Sequence, residues 1–302
     1  MDEEHVTEED LWEELPNSTG AQRADILYRI SAHLYSRNKY AEALACAQES
    51  VDILEREETT DNSSLGRSRA GVAHNLKAIG EHQAALDELI QVSELFHRES
   101  QPEVGEIDCM IGRWAYDTKD FAIAAKYLSY STSEAGEGIS DKHVAAQDMF
   151  FLGRALLQIG QADLALEKLE TARESFKNLE STLDLAIADS GVAEVFVALN
   201  RIPEAHRAAQ RSLDLFTTLG KRIHSTVALM PLAQCLLLEG DIEEALKLIT
   251  EAIEIEQGSD ESELDEIIKF ERLLIEILNK LNRSEEAAEI ERRHESIHEY
   301  LR

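Results

Sequence analysis

The stretch from Met149 to Ala172, which reads MFFLGRALLQIGQADLALEKLETA, decides the fold of the chain. Apolar and small residues recur in it every three or four positions on both sides of Gly160, which is the period of two amphipathic helices. Glycine at position 160 is typical of the left-handed residue that ends a helix. Gly153 and Ala165 give each helix a small side chain, which lets the two pack closely as an antiparallel hairpin.

The same hairpin pattern occurs seven times, at intervals of 39 to 42 residues. The small residue of each second helix is Ala43, Ala85, Ala124, Ala165, Ala205, Ala245 or Ala287. Five residues earlier stands a predicted turn residue, namely Asn38, Gly80, Lys119, Gly160, Asn200, Gly240 or Asn282. The predicted helix pairs are 20–36 with 39–56, 65–79 with 81–98, 103–117 with 119–135, 142–158 with 161–178, 182–198 with 202–219, 222–238 with 241–257, and 263–280 with 283–300. Internal repeats of this length predict a solenoid.

This spacing resembles that of the tetratricopeptide repeat (TPR). The fourth repeat carries the matching positions Met149, Leu152, Gly153, Leu156, Ala165, Leu169 and Ala172. The resemblance covers residues 19–302, and the period of about 40 residues is similar to that of the longer repeats of kinesin light chains and bacterial peptide receptors. It implies an all-α fold, an α-solenoid of about seven TPR-like hairpins wound into a right-handed superhelix.

Residues 1–18 differ from the rest of the chain because they carry eight acidic residues and no Lys or Arg. Such a charge run predicts a disordered, solvated tail. Leu11, Trp12 and Leu15 form a small apolar stripe at helical spacing, so an alternative is a short motif that docks on the solenoid, for example in its groove. The predicted domains are therefore a tail, 1–18, and a solenoid, 19–302.

The composition narrows the choice of partners. A formal net charge of −30 disfavours nucleic acid and anionic membrane surfaces as partners. The acidic start of the sequence does not resemble a signal peptide. Cys46, Cys109 and Cys235 lie in helical patterns and are expected to be buried in a reducing compartment. We therefore expect a cytoplasmic protein that needs no cofactor.

The inner faces of the first helices carry the candidate binding residues. In TPR proteins these faces line the concave groove, and here they present basic and aromatic side chains in the first four repeats and apolar ones in the fifth and sixth. The predicted peptide-binding residues are Tyr28, Tyr35, Arg67, His74, Lys77, Arg113, Tyr116, Phe150 and Arg154. Arginine can hold a carboxylate with two parallel hydrogen bonds, and aromatic rings offer flat contact area. The alternative is that these side chains only pack between repeats or face solvent.

We therefore expect a non-catalytic scaffold or adaptor that binds an acidic, partly apolar protein or peptide segment in its groove. One alternative is a self-assembling scaffold, a homo-oligomer in which the apolar edge of the first repeat meets another copy. The remaining alternative is a metal-dependent hydrolase, since residues 294–298 read HESIH, which matches the H-E-x-x-H zinc pattern. That sequence lies on the last, polar helix and has no predicted third ligand.

Overall fold

The computed structural model describes residues 7–57, 62–99, 101, 103–132, 141–260 and 264–300. Within these ranges the chain forms fifteen α-helices and no strand. The predicted all-α solenoid fold is confirmed. The chain divides into two compact units, a first unit of residues 1–141 and a second unit of residues 142–302.

Each unit is built from helical hairpins. A short helix, α1 (Glu8–Glu14), opens the first unit, and the hairpins that follow are α2 (Gly20–Ser36) with α3 (Tyr40–Arg56), α4 (Asn62–Ala78) with α5 (His82–Glu99), and α6 (Val104–Asp117) with α7 (Phe121–Ser131). The second unit pairs α8 (Lys142–Gln158) with α9 (Ala162–Asn178), α10 (Thr182–Ala198) with α11 (Ile202–Leu219), α12 (Thr226–Glu239) with α13 (Ile242–Gln257), and α14 (Leu264–Lys280) with α15 (Ser284–Tyr300). All but two of the hairpin helix ends, at Ser131 and Thr226, lie within three residues of the predicted bounds.

All seven predicted turn residues have a positive φ, from 56° at Asn200 to 91° at Gly80 and Gly240. At six of these turns the hydrogen bonds are those of a Schellman motif, and at Gly240 two successive amides share the Leu236 carbonyl. At Gly160, for example, the Gly160 amide donates to the Leu157 carbonyl at 3.0 Å, and the Gln161 amide donates to the Leu156 carbonyl at 2.9 Å. Each first helix thus ends at a left-handed residue, and at the six Schellman turns this residue and the next one satisfy two of the last carbonyl groups.

Small residues let the two helices of a hairpin approach closely. The alanines of the second helices are buried, with exposed fractions of 0% at the first six and 2% at Ala287. In the fourth hairpin, a Cβ atom added at Gly153 would lie 2.6 Å from Leu169 Cγ and 3.1 Å from the Ala165 carbonyl oxygen. The contact between α8 and α9 therefore leaves no room for a side chain at position 153.

The acidic segment before the first hairpin is folded over residues 7–17, which corrects the prediction of a disordered tail there. Thr7 caps α1, and a 3-10 turn, Leu15–Asn17, follows the helix. Leu11 is fully buried and Leu15 is 7% exposed, and both belong to one apolar cluster with Leu27, Ile30 and Leu34 of α2. The docked segment therefore covers the apolar end of the first hairpin, where the self-assembly hypothesis placed another copy. Residues 1–6 lie outside the described part of the chain.

Polar contacts tie successive helices together inside the stack. Ser50 on α3 donates to the Ala24 carbonyl at 2.7 Å, and Ser212 on α11 donates to the Ala186 carbonyl at the same distance. Asp189 on α10, 1% exposed, accepts hydrogen bonds at 2.7 Å from Arg173 and from Arg211. Since those arginines lie on α9 and α11, one buried carboxylate joins three consecutive helices.

Candidate functional site

In the first unit, three aromatic side chains from consecutive first helices lie edge to face; we call them the aromatic ladder. The ring centroids of Tyr35 on α2 and His74 on α4 are 6.3 Å apart, and those of His74 and Trp114 on α6 are 5.2 Å apart. Tyr35 and His74 are predicted binding residues that the fold brings together, whereas Trp114 is one that the sequence analysis did not include. The spacing of 39 and 40 residues, one repeat each, was the sequence signal for this ladder.

Lys77 lies beside the ladder but is already engaged by the chain itself. Its ammonium nitrogen is 4.3 Å from the centroid of the Trp114 ring and 3.7 Å from a carboxylate oxygen of Asp117. These contacts place a cation between an aromatic face and a carboxylate. A cavity of about 470 Å³ opens at this point and is lined by Lys77, His82, Leu86, Trp114, Asp117 and Thr118.

The other predicted residues of the first unit are more scattered. Tyr28 is half-buried, and its ring edge packs beside Gly71 of α4. Arg67 is exposed and donates to the Ser64 hydroxyl at 3.1 Å on its own helix. Tyr116 meets Phe121 edge to face at 5.5 Å, and Arg113 next to Trp114 is half-buried. The contacts described for Tyr28, Arg67 and Tyr116 are with residues other than those of the ladder.

In the second unit, the first helices α8, α10, α12 and α14 enclose a cleft of about 640 Å³, which we call the inner cleft. Its apolar lining includes Leu157, Val197, Val227, Met230 and Phe270. Its charged lining is evenly divided between basic and acidic side chains: Arg154, Lys269, Arg272, Glu194, Glu266 and Glu276. The cleft is therefore apolar in its interior and electrically balanced, in a chain whose net charge is −30.

Arg154 and Phe150 are the two predicted binding residues of the second unit. The guanidinium carbon of Arg154 is 5.9 Å from the Phe150 ring centroid, and Arg154 donates to Glu194 at 3.2 Å. Both members of this ion pair are about one-fifth exposed. Phe150 packs with Ala146, Phe176 and Leu185, so much of its ring supports the hairpin core. Arg154 lines the inner cleft, whereas Phe150 is not among its lining residues.

Several cleft residues are absent from the predicted set. Phe270, Lys269 and Arg272 lie on α14, in the seventh repeat, for which no inward residues were predicted. The inner faces of the fifth and sixth repeats, which were predicted to be the apolar part of the groove, supply four further residues: Glu194, Val197, Val227 and Met230. Only the three-dimensional structure shows that charged residues of α14 line the cleft and that Arg154 pairs with Glu194.

The H-E-x-x-H sequence lies on α15. His294 is 2.6 Å from Glu271 of α14, and Arg293 also pairs with Glu271, which is 4% exposed. This histidine thus holds α15 on α14. The side chain of His298 lies outside the described part. Among the described residues, no group of three or more His, Cys, Asp or Glu side chains is placed to hold a metal ion.

No helix of the described ranges has both the length and the apolar character needed to cross a bilayer. Two of the cysteines, Cys46 and Cys235, are buried as predicted, and Cys109 is partly buried. Burial raises the pKa of the Cys235 thiol to about 11, with a smaller contribution from Glu239. A thiol with so high a pKa is a weak nucleophile near neutral pH.

Proteins of known structure share the fold of this chain. No protein-family model matches the chain. No curated protein sequence matches it either. A TPR repeat-containing protein from Cytophaga hutchinsonii superposes with a TM-score of 0.58 at 13% identity, over 87% of this chain and 92% of that one. The chain has a tetratricopeptide-repeat fold.

Two further solved structures superpose on most of the chain. A signal-transduction ATPase from Pyrococcus horikoshii with a TPR sensor superposes with a TM-score of 0.63 at 13% identity. The match covers 97% of this chain and 45% of the ATPase, so the chain spans less than half of that protein. Aspartyl phosphate phosphatase F from Bacillus subtilis superposes with a TM-score of 0.55 at 16% identity, over 91% of this chain and 74% of the phosphatase. Identities this low establish the fold alone.

Proposed function

We propose that this TPR chain is a non-catalytic scaffold that binds a segment of a partner protein, and that the inner cleft of the second unit receives it. The observation that carries this proposal is the cleft itself, with a volume of about 640 Å³, an apolar interior and charged side chains around it. Peptide and ligand sites combine these features, since apolar contacts supply affinity and a few polar groups fix orientation. The cleft is formed by packed helices, so little ordering is needed on binding.

The proposed acidic character of the bound segment rests on the three basic side chains of the cleft, although three carboxylates line it as well. Arg272 and Lys269 are exposed on α14, and Arg154 is the basic group deeper in the cleft. We propose that a partner carboxylate meets these cations while apolar side chains occupy the interior, as the sequence analysis expected. Arg154 is paired with Glu194 and Lys269 with Glu266, so the ligand must exchange for these carboxylates or bind beside them.

Panning of random twelve-residue peptides on phage against the full chain tests the proposal. Selected peptides, resynthesised with fluorescein, should bind with measurable polarisation changes and should lose affinity about tenfold with Met230→Glu, which places an unpaired charge in the cleft. Far-UV circular dichroism reports whether each variant is folded. Peptides that bind the folded Met230→Glu variant as tightly as the native chain would place the site elsewhere.

The charge preference is tested by reversing single charges on the rim. For the selected peptides, Arg272→Glu should weaken binding about tenfold, and Glu276→Lys, on the same helix, should strengthen it. Lys247→Glu is the matched control, because it makes the same change at an exposed site on α13, away from the cleft. Equal effects of Arg272→Glu and Lys247→Glu would show that peptide affinity depends on the net charge of the protein and not on the cleft.

The self-assembling alternative has a separate test. A sedimentation coefficient that rises with protein concentration would support it.

A further inference from the structure

The cavity of the first unit is distinct from the inner cleft and has a different chemistry. Its floor is Leu86 of α5, which is 2% exposed, and one wall is the ring of Trp114. Asp117 and Thr118, at the end of α6, supply oxygen atoms at its edge, and Lys77 reaches in from α4. Its volume of about 470 Å³ exceeds that of a single side chain, so it has room for a side chain together with adjoining backbone.

The position of Lys77 shows what this cavity favours. An ammonium 4.3 Å from the Trp114 ring centroid gains from the negative charge of the ring face, and tryptophan is the best side chain for this contact. The 3.7 Å separation from Asp117 is longer than a hydrogen bond, and the two side chains are 34% and 65% exposed. Such an ion pair contributes little and exchanges readily.

The Trp114 ring is held in place from behind. The edge-to-face contact with His74 is 5.2 Å between centroids with planes at 84°, and His74 in turn meets Tyr35. Burial lowers the pKa of His74, and the neighbouring Lys77 charge lowers it further. The imidazole behind the ring is therefore uncharged near neutral pH, and it adds no cation that would repel a second one.

We propose that this cavity binds a lysine side chain of a partner protein, with the ammonium on the face of Trp114 and beside Asp117, and that Lys77 occupies the position when the partner is absent. The partner's lysine displaces Lys77 into solvent. A net charge of −30 also attracts a basic segment over long distances. This proposal does not depend on the inner cleft, and it gives Lys77 the role of an internal competitor rather than of a carboxylate ligand.

The probe is acetyl-tetralysine amide, and its control is the same peptide with every Nε atom acetylated, which keeps the shape and removes the charge. Trp12→Phe leaves Trp114 as the only tryptophan of the chain, so its fluorescence reports binding directly. The charged peptide should shift the Trp114 emission saturably, and the acetylated peptide should not. Lys77→Met in this background should tighten binding about threefold, because the internal cation is removed.

Matched variants separate this site from the general attraction of an acidic protein. Lys168→Met removes the same charge from a side chain of similar exposure on α9, 30% against 34% for Lys77. Equal effects of Lys77→Met and Lys168→Met would overturn the proposal. Asp117→Asn should weaken binding about threefold, whereas Asp163→Asn, at an exposed position, should not. Trp114→Phe retains an aromatic ring and should weaken binding of a fluorescein-labelled probe; unchanged affinity in that folded variant would also overturn it.

Discussion

At the scale of single residues, two glycines of the fourth hairpin illustrate two different requirements. Gly160 has a φ of 79°, and a Cβ atom added there would meet nothing within 4 Å. Gly153 lies inside α8, and a Cβ atom there would collide with Leu169. The first glycine is required by backbone conformation and the second by helix packing. The other turns use Gly, Asn or Lys, which shows that side chains are accepted at some conformational cost.

Gly160→Ala should lower the free energy of unfolding by about 1 kcal/mol, through the left-handed backbone alone. Gly153→Leu should lower it by about 1–3 kcal/mol, because α8 and α9 must move apart. Urea unfolding followed by circular dichroism measures both, and Glu167→Ala, at an exposed position on α9, should change stability by about 0.5 kcal/mol or less. A larger loss for Glu167→Ala than for Gly153→Leu would show that the helix register is wrong.

Asp108 is a buried carboxylate of the first unit, 1% exposed. Burial raises the pKa of Asp108, although hydrogen bonds from Ser93 at 2.6 Å and His97 at 2.8 Å lower it in part. A raised pKa means that the folded state binds the proton more tightly than the unfolded state. Stability from this group is therefore present at low pH and falls as pH rises through the ordinary and then the raised pKa.

As the pH rises above about 4, the ordinary pKa of an aspartate, the native chain should lose stability relative to Asp108→Asn, whose amide does not titrate. Urea midpoints of the two proteins at several pH values measure this difference. Asp163→Asn, at an exposed site, should follow the native chain with a constant offset. A native chain that gains stability over Asp108→Asn as the pH rises would contradict the assignment.

The residues that sequence could and could not predict differ in what fixes them. Six of the seven turn residues are Gly or Asn, which tolerate a positive φ, and the repeat spacing alone predicted Lys119. Trp114 was missed because it directly follows Arg113, the residue predicted to face inward, and its contact with His74 joins two different hairpins. The pairing of Arg154 with Glu194 likewise joins residues one repeat apart. Contacts of this kind depend on how neighbouring hairpins pack.

At the scale of secondary-structure elements, α1 is stabilised by its contacts with the first hairpin. Arg37 pairs with Glu8 at 2.7 Å, and Arg23 donates to the Leu15 carbonyl at 3.0 Å. The sequence showed the stripe of Leu11 and Leu15, but a helix of seven residues is too short to be stable alone. Its folding depends on the apolar surface of α2. The sequence analysis predicted a disordered tail instead, because the segment is densely acidic.

Leu11→Ala should lower the free energy of unfolding by about 2–4 kcal/mol, because Leu11 is fully buried against α2. Trp12→Ala should cost about 1 kcal/mol or less, since Trp12 is 43% exposed. Thermal unfolding by circular dichroism compares the two variants. Equal and small losses of stability in the two variants would show that the segment is a solvated tail, as the charge run predicted.

At the scale of the whole molecule, each unit has its own core. In the second unit, Leu229, Ile249, Phe270 and Ile277 form a cluster across α12, α13 and α14. In a solenoid each hairpin packs chiefly on its neighbours, so stability is the sum of many local interfaces. The repeat period predicted this organisation, whereas the division at residue 141 does not follow from the periodic pattern.

A fragment of residues 142–302 should therefore fold without the first unit. Its far-UV spectrum should show the helical content expected for α8 to α15, and urea should unfold it cooperatively. The fragment should also keep the affinity of the full chain for peptides that bind the inner cleft. A fragment without helical signal would show that the second unit is not an independent folding unit.

The docked segment α1 also bears on how copies of the chain could associate. Stacked repeats with bare apolar ends can add head to tail, and a contact that repeats without closing produces a filament. Here Leu11 and Leu15 fill the apolar end of the first hairpin, while Glu9, Glu13 and Glu14 face outward from it. Each copy therefore presents a charged surface where the next copy would stack, and like charges repel. We therefore expect that covering this one end disfavours head-to-tail growth in both directions, because every such joint needs that end.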